Sequence, residues 1–120
     1  MTRYIDGFVI PVPTARIDDY RLMAEKAAKI FKEHGALDYW ECVGDDMHPE
    51  GTMSFNQLAD AKPDETVVFS WVVYESKEAR DAANAKIFVD PRMKEMMDMS
   101  NTIFDCKRMA YGGFKQLVHA

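Results

Sequence analysis

The chain is short of cysteine and histidine, has no long apolar run and carries no positive excess, and each shortage removes a class of explanation. Only Cys42 and Cys106 occur, far apart and in no CxxC arrangement. A disulfide scaffold, a zinc knuckle, an iron–sulfur site and thioredoxin-like chemistry are therefore poorly supported. Two isolated cysteines suit a reducing compartment, and the cytoplasm is the expected one. No uninterrupted apolar stretch approaches the roughly 20 residues that cross a bilayer. Asp6 breaks the apolar start, so YIDGFVIPVP reads as a strand and not as a signal peptide, and no membrane partner is expected. Nucleotide-binding glycine motifs, a phosphate loop, a zinc-protease helix and a nucleophile elbow are all missing, so no cofactor or metal is expected. The chain is acidic and lacks the basic-glycine-aromatic pattern of RNA-recognition sheets, so nucleic acid is disfavoured as a partner.

What is present is 120 residues, 48% hydrophobic, with 15 basic and 20 acidic residues and a net charge of -5. That length favours a single domain spanning residues 1–120, large enough to bury a core without disulfides. The negative charge is local: from Glu33 to Ala61 there are seven acidic residues and no Lys or Arg. Within that stretch Asp45, Asp46, His48 and Glu50 offer carboxylate and imidazole donors. Their spacing matches no strong metal pattern, and a solvated loop is the default reading.

Periodicity orders the chain as β, α, β, β, α, β, with a short helix before the last strand. Tyr4–Val12 is a strand ending in Pro-Val-Pro. Ile17, Tyr20, Ala24, Ala27, Ala28 and Phe31 recur at helical spacing, with Thr14 as the expected N-cap and Gly35 just past the end. Leu37–Val43 is a second strand. Thr66–Tyr74 is the strongest strand, apolar at both parities and so expected to be buried on both faces. Ser76 caps a helix with Ala79, Ala82, Ala83 and Ile87 on one stripe, and Pro91 opens a short helix rich in methionine. Lys107–Val118 reads as a last strand, bent at Gly112-Gly113. This is an α+β, ferredoxin-like βαββαβ pattern with a four-stranded antiparallel sheet. Two helices cover one sheet face. The apolar second face predicts a homodimer through sheet faces; the alternative is that residues 45–65 fold over it.

Polar residues inside strands carry the functional signal. Asp6, Glu41 and Ser70 interrupt otherwise apolar strands, and a buried polar group must be hydrogen-bonded or solvated in a cavity. If they converge between sheets, Asp6 or Glu41 would be a proton-transfer base and Arg108 an anion or oxyanion partner. Tyr39, Ser70, Trp71, Tyr74 and Tyr111 would line the pocket. The competing reading is edge positions and satisfied core groups, since parity alone does not say which residues share a face. Met93, Met96, Met97 and Met99 read as core or dimer packing, or as a lid over an apolar pocket. Cys42 is expected to be buried and inert.

The stretches YIDGFVIPVP, AEKAAKIFKEHGALDYWECVGDD, TVVFSWVVYESKEARDAANAKIFVDPRM and KRMAYGGF, in that order, resemble the YbaA-like bacterial family, domain-of-unknown-function family 1428. The resemblance implies membership of the dimeric α/β-barrel superfamily, whose relatives include cofactor-free oxygenases, lactone isomerases and haem enzymes. It supplies no reaction and no catalytic set. The leading expectation is a dimer binding a small apolar molecule, or a cofactor-independent enzyme on an apolar or aromatic metabolite. The alternative is a non-catalytic regulatory or protein-interaction module.

Overall fold

The computed structural model describes residues 2–120. Its elements are β1 (Tyr4–Pro13), α1 (Ile17–Glu33), β2 (Asp38–Val43), α2 (Phe55–Leu58), β3 (Glu65–Tyr74), α3 (Lys77–Phe88), α4 (Pro91–Ile103) and β4 (Ala110–Lys115). The strands form one antiparallel sheet in the order β2-β3-β1-β4. This is the expected α+β, ferredoxin-like arrangement. The barrel implied by the family resemblance is not formed. β2 and β4 are the two edges, separated by β3 and β1, and the sheet stays open. Four strands are also too few to close around a filled interior, which takes about eight.

β1 and β3 pair along ten residues, from Tyr4↔Tyr74 to Pro13↔Glu65. β1 runs through Pro11 and ends at Pro13, one residue past the expected end at Val12. Its pairing with β4 ends at Val9↔Ala110, so both prolines lie where β1 has a neighbour on one side only. Thr14 N–H donates to Asp64 on the β3 side at 2.9 Å. By alternation, residues 11 and 13 point their missing N–H groups at the vacant side, where no ladder bond is lost.

The helices lie on one face. Even-numbered residues of β1 and β3 point at them, and Ile10, Val12, Val68, Val72 and Tyr74 are buried there with Tyr20, Met23, Ala24, Ala27 and Ile30 of α1. The α1 stripe is rotated slightly from expectation: Met23 and Ile30 are buried, whereas Ala28 and Phe31 lie at its margin. Thr14 does not cap α1. It opens a single tight turn, Thr14–Arg16, and α1 starts at Ile17 without a side-chain cap. Asp18 and Asp19 put negative charge on its first turn instead. Gly35, at φ +118°, takes the left-handed conformation that ends the helix. Ser76 Oγ accepts from Ala79 N–H at 3.1 Å and caps α3. α4 is longer than the short helix expected. Asp90 caps it, accepting from Arg92 N–H at 3.0 Å, and Pro91 fills its first position. Asp90 also meets His34 Nε2 at 2.8 Å, and Arg92 bonds Glu33 at 2.6 Å. These contacts fasten the start of α4 to the end of α1.

The other sheet face carries Gly7, Val9, Phe69, Trp71, Val73, Trp40 and Phe114. Residues 45–65 cover only one end of it. Their single helical turn, α2, brings Phe55 to 5.9 Å from Phe69, and the cross-strand pair Pro11–Val67 is buried at that end. Trp40, Phe69 and Phe114 remain 48%, 44% and 60% exposed. β4 is shorter than expected because Cys106–Arg108 forms a tight turn before it. Its glycines do not mark a bend by positive φ. They make room for rings: a Cβ on Gly113 would lie 2.7 Å from Tyr4 Cε2, and a Cβ on Gly7 would lie 3.2 Å from the Phe114 ring.

Candidate functional site

Register brings Asp6, Glu41 and Ser70 to the same face, but it is the helix face and not a space between sheets. Phe8 pairs with both Ser70 and Tyr111, and Ser70 pairs with Glu41, so these four form one row across the sheet. Asp6, Val72, Tyr39 and Gly113 form the next row. The two carboxylates nevertheless enter different environments.

Asp6 faces α3. Its carboxylate accepts from Arg80 Nη1 at 2.9 Å, and the two side chains are 3% and 13% exposed. Arg80 also donates to Tyr111 Oη at 3.0 Å and to Asp81 at 2.8 Å, and its guanidinium lies 4.7 Å above the Tyr4 ring. Burial pushes the Asp6 carboxyl above its ordinary value, with the Arg80 guanidinium opposing. Burial, and then the Asp6 charge, raise Tyr111. Tyr74 is fully buried on the same face, and its hydroxyl has no hydrogen-bond partner among the described residues.

Glu41 faces α1. Tyr20 Oη donates to its Oε1 at 2.6 Å and Tyr39 Oη to its Oε2 at 2.7 Å. Both carboxylate oxygens act as acceptors, which fits an ionised group. No salt bridge reaches Glu41 among the described residues. Burial, and then the Glu41 charge, push both tyrosine hydroxyls well above their usual value, so they remain donors.

This triad is the shared wall of two cavities. One, of about 400 Å³, lies between α1 and the edge strand β2, against Ile17, Ala24, Val43 and Val68. The other, of about 250 Å³, lies between the sheet and α1 and α4, where Phe8, Ser70, Met93, Met96 and Phe104 line it. Three of the four clustered methionines (Met93, Met96 and Met97) face this inner cavity.

The remaining expected site residues fall elsewhere. Arg108 is held by Glu65, at 2.7 and 2.9 Å, and by the Asp60 carbonyl at 2.6 Å, so its donors are engaged away from the cavity. Trp71 is on the open face, stacked on Trp40 with centroids 5.5 Å apart and planes 12° apart. Cys42 is exposed, not buried, because its parity puts it opposite Phe69 on the open side of an edge strand. Asp45, Asp46, His48 and Glu50 lie in an exposed loop, and among the described residues no three His, Cys, Asp or Glu side chains are placed to hold a metal. Among those residues no helix is long and apolar enough to cross a membrane.

Sequence reasoning missed Arg80 and the donor role of Tyr20. Arg80 precedes buried Ala83 and Ile87 by three and seven positions, which is the spacing of one helix face. That signal was available for Arg80. Nothing local marked Tyr20 as the partner of a glutamate 21 residues away.

The geometry defines an α+β protein of the ferredoxin-like type with a cavity between its sheet and helix layers. Solved structures share that fold at low identity. A NIPSNAP domain protein from Burkholderia xenovorans matches with a TM-score of 0.60 at 10% identity, over 98% of this chain and 94% of that one. SnoaB from Streptomyces nogalater, described as a cofactor-independent oxygenase, matches with a TM-score of 0.58 at 14% identity, over 93% and 90%. The chain belongs to the family described as protein of unknown function (DUF1428), whose model covers residues 3–106. It is 50% identical over 117 residues to the uncharacterized protein YbaA of Escherichia coli strain K12, covering 97% of each.

Proposed function

We propose that this protein binds a small molecule with an apolar or aromatic body in the cavity between sheet and helices, and acts on it without a cofactor, Glu41 serving as proton acceptor. The observation that carries this reading is the ionised-type Glu41 carboxylate, clamped by Tyr20 and Tyr39 hydroxyls in the wall of a methionine- and aromatic-lined cavity. A proton leaving the ligand would pass to a Glu41 oxygen, its electron pair staying on the ligand. Protonation would weaken the carboxylate's hold on the two hydroxyls, which could then donate to the ligand atom that keeps the electron pair. Arg108 has no part in this chemistry, and Asp6 has a structural role. The cofactor-independent oxygenase of similar fold adds a fold-level precedent only.

Ligand-observed NMR with a panel of small aromatic compounds tests the binding. Wild-type protein should give saturation-transfer signals that Met93→Trp, a filler of a half-buried cavity position, abolishes. Signals unchanged by the filler would overturn the placement.

We also infer that two copies pair back to back through their open sheet faces, each sheet remaining open. Trp40, Phe69 and Phe114 support this, since aromatic side chains this exposed mark an interaction surface more than a solvated one, and half-buried Trp71 packs against two of them. Sedimentation at micromolar concentration should give the dimer mass for wild type and the monomer mass for Phe69→Glu. A wild-type monomer would refute the pairing. The interaction-module alternative keeps only part of its outer methionine patch: Met97 is exposed, whereas Met96 is buried and Met93 half-buried in the cavity wall.

A further inference from the structure

Resting on the reading that the inner cavity holds an organic ligand, we propose that the ligand is a cation: a protonated amine carried on the apolar or aromatic body. The cavity's electrostatics are one-sided. Glu41 is its one acidic side chain, and no Arg or Lys lines the space. The partners Glu41 does have are neutral hydroxyls, held neutral by their burial and by the same carboxylate. Each Glu41 oxygen accepts one hydroxyl and keeps acceptor capacity for a further donor.

An ionised group in apolar surroundings without an opposite charge is costly, and a charge-assisted hydrogen bond from an ammonium would offset that cost. The walls suit the same guest. The Tyr20 ring packs on Phe104 and the Tyr39 ring on Phe31, with centroids 5.7 and 5.4 Å apart, so the cavity holds several aromatic rings whose faces would attract a cation bound among them. The methionine thioethers add polarizable, adaptable contact for the body. An anionic ligand in this cavity would meet Glu41 with no neutralising cation, since Arg108 is committed to Glu65 and Arg80 to Asp6, and Arg21 lines the outer cavity, paired with Asp18 and Glu25.

The test is a set of three probes of similar size: 2-phenylethylamine, 2-phenylethanol and 3-phenylpropanoate. Dissociation constants are measured by calorimetry near neutral pH. The amine should bind at least about tenfold more tightly than the alcohol, and the carboxylate most weakly. Glu41→Gln should abolish the amine's advantage while leaving the alcohol's affinity within about threefold. If Glu41→Gln fails to fold, Tyr39→Phe replaces it; with one donor to Glu41 removed, the amine's advantage should be kept or increased.

Equal binding of amine and alcohol, displaced by the Met93→Trp filler, would overturn the cationic class and leave the cavity reading standing. No binding of any probe would overturn both. An amine preference that survives Glu41→Gln in folded protein would place the ammonium elsewhere and overturn the assignment.

Discussion

Asp6 and Glu41 stand in neighbouring rows on the same sheet face, yet their surroundings are opposite in kind. Asp6 is closed by Arg80, which is itself held by Tyr111, Asp81 and the Tyr4 ring. Glu41 is held, among the described residues, by two hydroxyls and borders two cavities. A buried carboxylate with a guanidinium of its own is an internal strut. One with neutral donors and open volume keeps its charge for something that arrives. Chemistry therefore follows the unfilled coordination, not the mere presence of a carboxylate in a strand.

The largest expected effect breaks the Asp6 side. Arg80→Met leaves a buried carboxylate without its counter-charge, and removing one partner of such a pair costs about 3–5 kcal/mol. The loss here should fall at the lower end, about 3 kcal/mol, because Asp6 can take up a proton and become neutral. Urea denaturation reads it. Glu41→Gln should cost about 1 kcal/mol or less by the same measurement, because Gln keeps a carbonyl acceptor for one hydroxyl. Equal losses at the two sites would erase the distinction between strut and site.

Next in size is Gly113→Ala. Its methyl would press on the Tyr4 ring and displace it from Arg80, an overpacking cost of about 1–3 kcal/mol. Gly112→Ala meets nothing closer than a Phe114 ring atom at 3.6 Å and should change stability by less than about 1 kcal/mol. If Gly112→Ala proved the costlier of the two, Tyr4 would not be supporting the Asp6–Arg80 pair as described.

Much of this was legible in the sequence. The two-sided apolar run at Thr66–Tyr74 and the α1 periodicity follow from pattern alone, and so did Ser76 and Pro91 as helix starts. The polar interruptions at Asp6, Glu41 and Ser70 were visible too. Their common face was not, because a one-residue slip of register would send every side chain of a strand to the other side. Trp71 is a different case: alternation alone puts it on the opposite face from its neighbour Ser70, so the two cannot line one pocket whatever the register. Arg108 was misplaced because its partner, Glu65, is 43 residues away and Asp60 is brought near only by the fold. The open sheet was within reach of the sequence, since the four strands it shows are too few to close around a filled interior; the family resemblance pointed past it.

The smallest effect sharpens the comparison by its sign. Burial outweighs Arg80 at Asp6, so the folded carboxyl holds its proton more tightly than the unfolded one. Between the unfolded value, about 3.9, and the raised folded value, the native state binds more protons. Wild-type stability relative to Asp6→Asn should therefore fall as pH rises through that window. Glu65 is the opposite case. Its hydrogen bonds with Arg108 hold its carboxyl below the ordinary value, so wild type relative to Glu65→Gln should gain stability above about pH 4.3 and lose it as pH falls through the lowered folded value. Urea midpoints of the three proteins across the acidic range give both slopes. A slope of the same sign at both positions would mean that Arg80 fully compensates the burial of Asp6, and the strut would then be an ordinary ion pair.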